Sequence, residues 1–229
     1  MSSRKILVIF ELEKVLCRTQ RVLSSFRKNH QFIQQIASPQ KELEKKYNIH
    51  YRPGYEDLLK FLFLQGRDTF EIGVWSSLAR EECTDLCNLV LRKHMPSLLF
   101  ITATKSSELT KTNLTEDVNV FPIAKDLNAV SQQFPEFTSR NMICVSPFEN
   151  LHNDHSINDI FVPQYTKTKL GVDMADDYYM YSLQKFLSGM REVWRNNKTN
   201  DVRRYIVSVN YKVLHEKMES SVGAQFDYR

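Results

Sequence analysis

The chain has 229 residues, 42% hydrophobic and 25% charged, which are the proportions of a folded domain rather than a disordered one. Its 31 Lys and Arg against 27 Asp and Glu leave a formal charge of +4, too mild to point to nucleic acid. No apolar run approaches the roughly 20 residues of a membrane span, four cysteines in this length make no disulfide framework, and the amino terminus reads as neither a signal nor a transit segment. The expectation is an intracellular domain, cytoplasmic or nuclear in preference to organellar.

Ile6-Leu7-Val8-Ile9-Phe10 is a short apolar run rich in β-branched residues, which predicts a strand buried on both faces, as in a parallel sheet. Residues 18–47 are polar with apolar punctuation at Val22, Phe26, Phe32, Ile33 and Ile36, and read as a partly helical insertion. A weak strand over 47–51 is broken by Arg52-Pro53-Gly54. From Tyr55, Leu58, Leu59 and Leu62 fall on one helical stripe. Residues 70–75 read as the next strand, and a helix from Ala79 turns Cys83, Leu86 and Val90 inward. Further strands are expected at 98–102, 142–145 and 160–162, the last closed by Pro163. A helix over about 174–193 carries Tyr179, Leu183, Phe186, Leu187 and Met190 on one face. Strands alternating with helices predict an α/β domain over 1–193 with a mostly parallel, Rossmann-like sheet. The extension 194–229 fits both helical and alternating spacing around Tyr205 to Val213, and its charged face favours a helix.

In an open parallel sheet, ligands bind beyond the carboxyl ends of the strands. Those ends carry Glu11-Leu12-Glu13 after the first strand, Ser76-Ser77 after the second core strand and Ser146-Pro147 after the run at 142–145, with Lys125 preceding that run. A carboxylate that attacks phosphorus, with a hydroxyl and an ammonium holding the phosphate oxygens, is the set that transfer through an acyl phosphate requires. Each piece is common by itself. Glu11 and Glu13 also suit polar residues leaving a strand, and Ser76 and Lys125 ordinary loop positions.

The order of the pieces carries a resemblance. The strand with Glu11-Leu12-Glu13-Lys14-Val15, then Arg52-Pro53-Gly54 leading into a helix, then Trp75-Ser76-Ser77 and Lys125-Asp126-Leu127, then Ser146-Pro147-Phe148, resembles the NIF-type (NLI-interacting-factor-like) domain of RNA polymerase II C-terminal-domain phosphatases, within the haloacid dehalogenase superfamily. The resemblance implies that Glu11 and Glu13 stand where the family has its nucleophilic and acid/base aspartates. It likewise implies that Ser76 and Lys125 are the phosphate-contacting residues.

Two departures bear on activity. Both aspartates are glutamates here, and the extra methylene shifts a carboxylate by roughly an ångström, a misplacement that reaction geometry tolerates poorly. Active members carry acids just before Ser-Pro to complete a Mg²⁺ site, whereas this chain has Ile143-Cys144-Val145-Ser146-Pro147, and the nearest downstream carboxylate is Glu149. The expectation is therefore a degenerate domain without a metal or other cofactor, a pseudophosphatase acting as a scaffold on protein partners within a larger complex. The alternatives are an active Mg²⁺-dependent phosphoserine/phosphothreonine phosphatase with Glu11 as nucleophile and Glu13 as acid/base, and a phosphopeptide reader that holds phosphate on Ser76 and Lys125 without cleaving it. Cys83 and Cys87, four apart on a helix, read as core thiols, as do Cys17 and Cys144; His152 and His155 frame a polar loop.

Overall fold

A computed structural model of the chain describes residues 4–21, 43–44, 46–104, 126–148, 153–166 and 177–226. Lys125, Glu149, His152 and most of the insertion at 18–47 lie outside the described residues.

The strands are β1 (Ile6–Phe10), β2 (Cys17–Arg21), β3 (Tyr47–Tyr51), β4 (Phe70–Ala79), β5 (Leu98–Thr104), β6 (Met142–Ser146) and β7 (Asp159–Phe161). The helices are α1 (Tyr55–Lys60), α2 (Arg80–Val90), α3 (Leu127–Gln133), α4 (Tyr179–Arg195), α5 (Val202–Ser208) and α6 (Tyr211–Phe226). Among the described residues, five strands form one parallel sheet in the order β5-β4-β1-β6-β7, and β2 pairs antiparallel with β3 in a separate ribbon. The chain runs from β1 outward through β4 and β5, then crosses to β6 and β7 on the other side. That reversal makes the carboxyl ends of β1, β4 and β6 the switch point at which open parallel sheets place their ligands.

All five β1 residues are buried, because helices cover both faces of the sheet. Ile6, Val8 and Phe10 join Ile72, Val74, Ile143 and Val145 beneath α1, α2 and α4. Leu7 and Ile9 join Met142 and Cys144 against Leu127 and Val130 of α3. Helix α4 buries Met180, Leu183, Phe186, Leu187 and Met190 completely, each such side chain contributing about 1.5–3 kcal/mol relative to exposure. Its Trp194 Nε1 donates to the carbonyl of Arg4 at 2.7 Å, tying the helix to the start of β1. Gly73 of β4 lies under Phe100, where a Cβ would come within 2.6 Å of the ring.

Several elements differ in detail from the expectation. Residues 17–21, all but Cys17 inside the region read as an insertion, form the polar strand β2. Strand β4 continues through Trp75-Ser76-Ser77 to Ala79, with an irregular register between Ser76 and Ala79. The stripe from Tyr55 continues beyond α1 as a π-helical turn, Phe61–Gln65, and α3 is a short helix that no periodicity announced. The carboxyl-terminal extension is helical, but in two pieces. Asn210 Oδ1 accepts from the backbone N–H of Lys212 at 3.1 Å and so opens α6 after a break at Val209. Val202 and Tyr211 of the extension belong to the same core as β1 and α4. The four cysteines are reduced and buried, as expected for packed thiols; the hydrogen bond with Cys83 and burial push the Cys87 thiol up, and burial does the same for Cys17.

Candidate functional site

The carboxyl end of β1 carries Glu11, held in place by its backbone N–H, which donates to the Val145 carbonyl of β6 at 3.0 Å. From there its side chain reaches sideways to β4. Oε1 accepts from Ser76 Oγ at 3.0 Å and from the Ser77 N–H at 3.0 Å, and Oε2 accepts from Ser77 Oγ at 3.1 Å. Ser76 Oγ accepts in turn from the Leu78 N–H at 3.1 Å. Glu11 is 4% exposed and Ser76 1%, so this carboxylate is withdrawn from water and compensated by donors. Two of the expected site residues are thus brought together, and Ser77 joins them. Strict alternation along a strand would send Ser76 and Ser77 to opposite faces; the irregular register after Ser76 accompanies their convergence.

Glu13, two residues further on, points elsewhere, its Oε1 accepting from Thr19 Oγ1 of β2 at 3.3 Å. Burial pushes its carboxyl above the ordinary glutamate range, opposed by the Lys14 charge and hydrogen bonds from Thr19. Lys14 between them adopts a left-handed backbone, φ 68°, and its carbonyl accepts from the Tyr165 N–H at 2.7 Å. Its ammonium lies 5.7 Å from the Phe148 ring centroid. At the end of β6, Ser146 is buried and its hydroxyl accepts from the Phe148 N–H at 3.2 Å.

Beneath this end runs an ion pair that sequence reading missed. Arg52 Nε donates to both carboxylate oxygens of Asp177, at 2.9 and 2.8 Å, with Arg52 1% exposed and Asp177 3%. Its Nη1 donates to the carbonyls of Val15 at 3.3 Å and Pro163 at 2.9 Å, and the guanidinium lies over Tyr179, 4.9 Å from its centroid. Arg52 therefore ties the β1 loop, the chain after β7 and the start of α4 together. The next two residues, Pro53 and Gly54, enter α1 through a turn in which Gly54 has φ +78°, a conformation that favours glycine.

An Mg²⁺ ion, which the family resemblance implies, takes about six oxygen ligands in near-octahedral array. The described donors here are the Glu11 carboxylate, already bonded through both oxygens, the Glu13 carboxylate turned toward Thr19, and the Ser146 hydroxyl. Ile143, Cys144 and Val145 bring no oxygen-bearing side chain, and no cluster of three His, Cys, Asp or Glu among the described residues is arranged to hold a metal.

Residues 6–203 match the family model described as NLI interacting factor-like phosphatase. The chain belongs to that family. The match spans every strand of the sheet, the Arg52 turn and α4, so this NIF domain has the mostly parallel α/β architecture of haloacid dehalogenase-like proteins. No curated protein matches the sequence. Among solved structures, the domain is similar to the fission yeast RNA polymerase II CTD phosphatase Fcp1 in a variant bound to beryllium fluoride. That similarity has 12% identity and a TM-score of 0.45, over 97% of this chain and 62% of that one. A second structure of Fcp1, described as an essential RNA polymerase II CTD phosphatase, gives 11% identity and a TM-score of 0.45, over 96% of this chain and 64% of that one. The chain thus spans less than two thirds of the length of the structures it resembles.

Proposed function

We propose that this NIF domain is a pseudophosphatase that works without a metal and acts through protein contacts, as a scaffold within a larger intracellular complex. One observation carries the reading: the Glu11 carboxylate is bound by the hydroxyls of Ser76 and Ser77 and by the Ser77 N–H. By family resemblance, Ser76 is the residue that would receive the phosphate. A substrate phosphate would have to displace an anion from its own donors, and an attacking oxygen needs to stand about 3–3.5 Å from phosphorus with its lone pair aimed there. The missing acids before Ser146 support the same conclusion, since a divalent ion is the main neutraliser of charge in phosphoryl transfer. A phosphopeptide reader would need the Ser76 hydroxyl that Glu11 engages.

The active-phosphatase reading has one observation in its favour. Burial raises the Glu13 carboxyl, as a general acid requires. Hydrolysis of an aryl phosphate with and without Mg²⁺ separates the two. The expected result is no metal-dependent phosphate release, unchanged in Glu11→Ala; turnover that disappears in Glu11→Ala establishes the enzyme instead.

A further inference from the structure

At the amino-terminal end of the sheet, opposite Glu11, a cavity of about 720 Å³ opens beside the starts of β1, β4 and β5. Apolar side chains stand among its polar walls: Leu98 and Leu99 line it half-buried, and Leu64 stands 65% exposed at its edge. Its rim is basic. Arg67 and Lys93 are exposed, and neither has a carboxylate partner among the described residues. His94 stacks on Phe63 at 4.4 Å and is held below its usual value by burial and by the charge of Lys93. The lining carboxylate, Glu71, is occupied by Lys5 at 2.6 Å.

An adjoining cleft shares Lys5, Glu71 and Leu99 and adds Arg4 and Glu136. The Arg4 guanidinium donates to Thr138 and Asn141 and to no described carboxylate. Cations therefore outnumber carboxylates around these leucines. Charge arranged in this way favours an anionic partner and steers its approach.

We propose that this cavity docks an acidic peptide segment of a partner protein, with a leucine- or phenylalanine-like side chain against Leu64 and Leu98 and carboxylates on Arg67, Lys93 and, in the adjoining cleft, Arg4. The leucines decide between polyanions: an extended nucleic acid places phosphates on the rim and leaves the exposed Leu64 and the half-buried Leu98 uncovered, whereas a peptide with an apolar anchor satisfies both rim and leucines. The site deepens the protein-contact reading and rests on it. Aryl phosphate turnover would break that reading whatever the peptide does.

The test is fluorescence anisotropy on the whole chain, with a labelled peptide in which a Leu-Phe pair is flanked by glutamates. The same peptide with glutamines and a single-stranded thymidylate oligomer serve as controls. Saturable binding of the acidic peptide is expected, weakened at least about tenfold by Arg67→Glu with Lys93→Glu and by Leu64→Asp, and hardly changed by Lys212→Glu on distant α6. Thermal unfolding of each variant identifies loss through misfolding, and for any that misfolds the milder Lys93→Gln replaces it, with weaker binding again expected. Absence of saturable binding, equal loss in Lys212→Glu, equal binding of the glutamine peptide, or tighter binding of the oligomer each overturns the proposal.

Discussion

The two ends of the sheet treat charge in opposite ways. At the carboxyl end, Glu11 is buried against Ser76 and Ser77, and Arg52 is buried against Asp177. At the amino end, Arg67 and Lys93 project over apolar side chains with no described carboxylate to meet them. Buried charge must be compensated inside the fold, because desolvation is too costly otherwise. Charge left open is available to something outside it. At the end where a family enzyme would work the Ser76 and Ser77 donors are thus engaged by Glu11, and on the proposed reading the opposite end offers its open cations to a partner.

The comparison breaks first, and most severely, at Arg52. Arg52→Met strands the Asp177 carboxylate in the core and is expected to cost about 3–5 kcal/mol in urea unfolding. Arg52→Met with Asp177→Leu should recover a large part of that loss; no recovery would mean that the Val15 and Pro163 carbonyls matter more than the pair. A smaller effect is expected at Glu11. Glu11→Ala leaves the Ser76 and Ser77 donors without their acceptor, at a cost of about 1–3 kcal/mol. If the carboxylate fills an anion cradle, inorganic phosphate should then raise the unfolding midpoint of the variant and leave the parent chain unmoved.

The smallest effect is at Glu13, whose folded value is raised above the ordinary 4.5 by burial. Ionising such a carboxyl costs the native state; the cost is fully present above its folded value and vanishes below the unfolded one. Glu13→Gln should therefore stabilise the domain modestly at neutral pH, and the gain should fade as pH drops toward about 4.5. A gain that persisted at low pH would assign it to packing.

What was legible in the sequence follows from where the information lies. Strands β1, β4, β5, β6 and β7 were readable because buried parallel strands are apolar runs, and α2 and α4 because their stripes repeat. Strand β2 was not, since Cys17-Arg18-Thr19-Gln20-Arg21 lies in a two-stranded ribbon outside the main sheet and carries no core pattern. The split of the extension at Asn210 could have been read from asparagine's preference for helix starts. At the site, motif order located Glu11 and Ser76. Ser77 stood in the same motif, but its contact with Glu11 was not foreseen because an irregular strand register is not written in periodicity, and Asp177 was missed because its partner Arg52 stands 125 positions away. Lys125 lies outside the described residues.

The chain has two tryptophans, and the fold puts them on opposite sides of the sheet: Trp75 against the α3 layer and Trp194 in the α4 layer. Each is a natural fluorophore for its own layer. With the other replaced by phenylalanine, the emission of Trp194, whose indole holds the Arg4 carbonyl, reports release of the first strand, while Trp75 reports loosening around Phe100 and Phe134. Whether the two halves of the sandwich melt together or in sequence can thus be read optically, without an extrinsic dye.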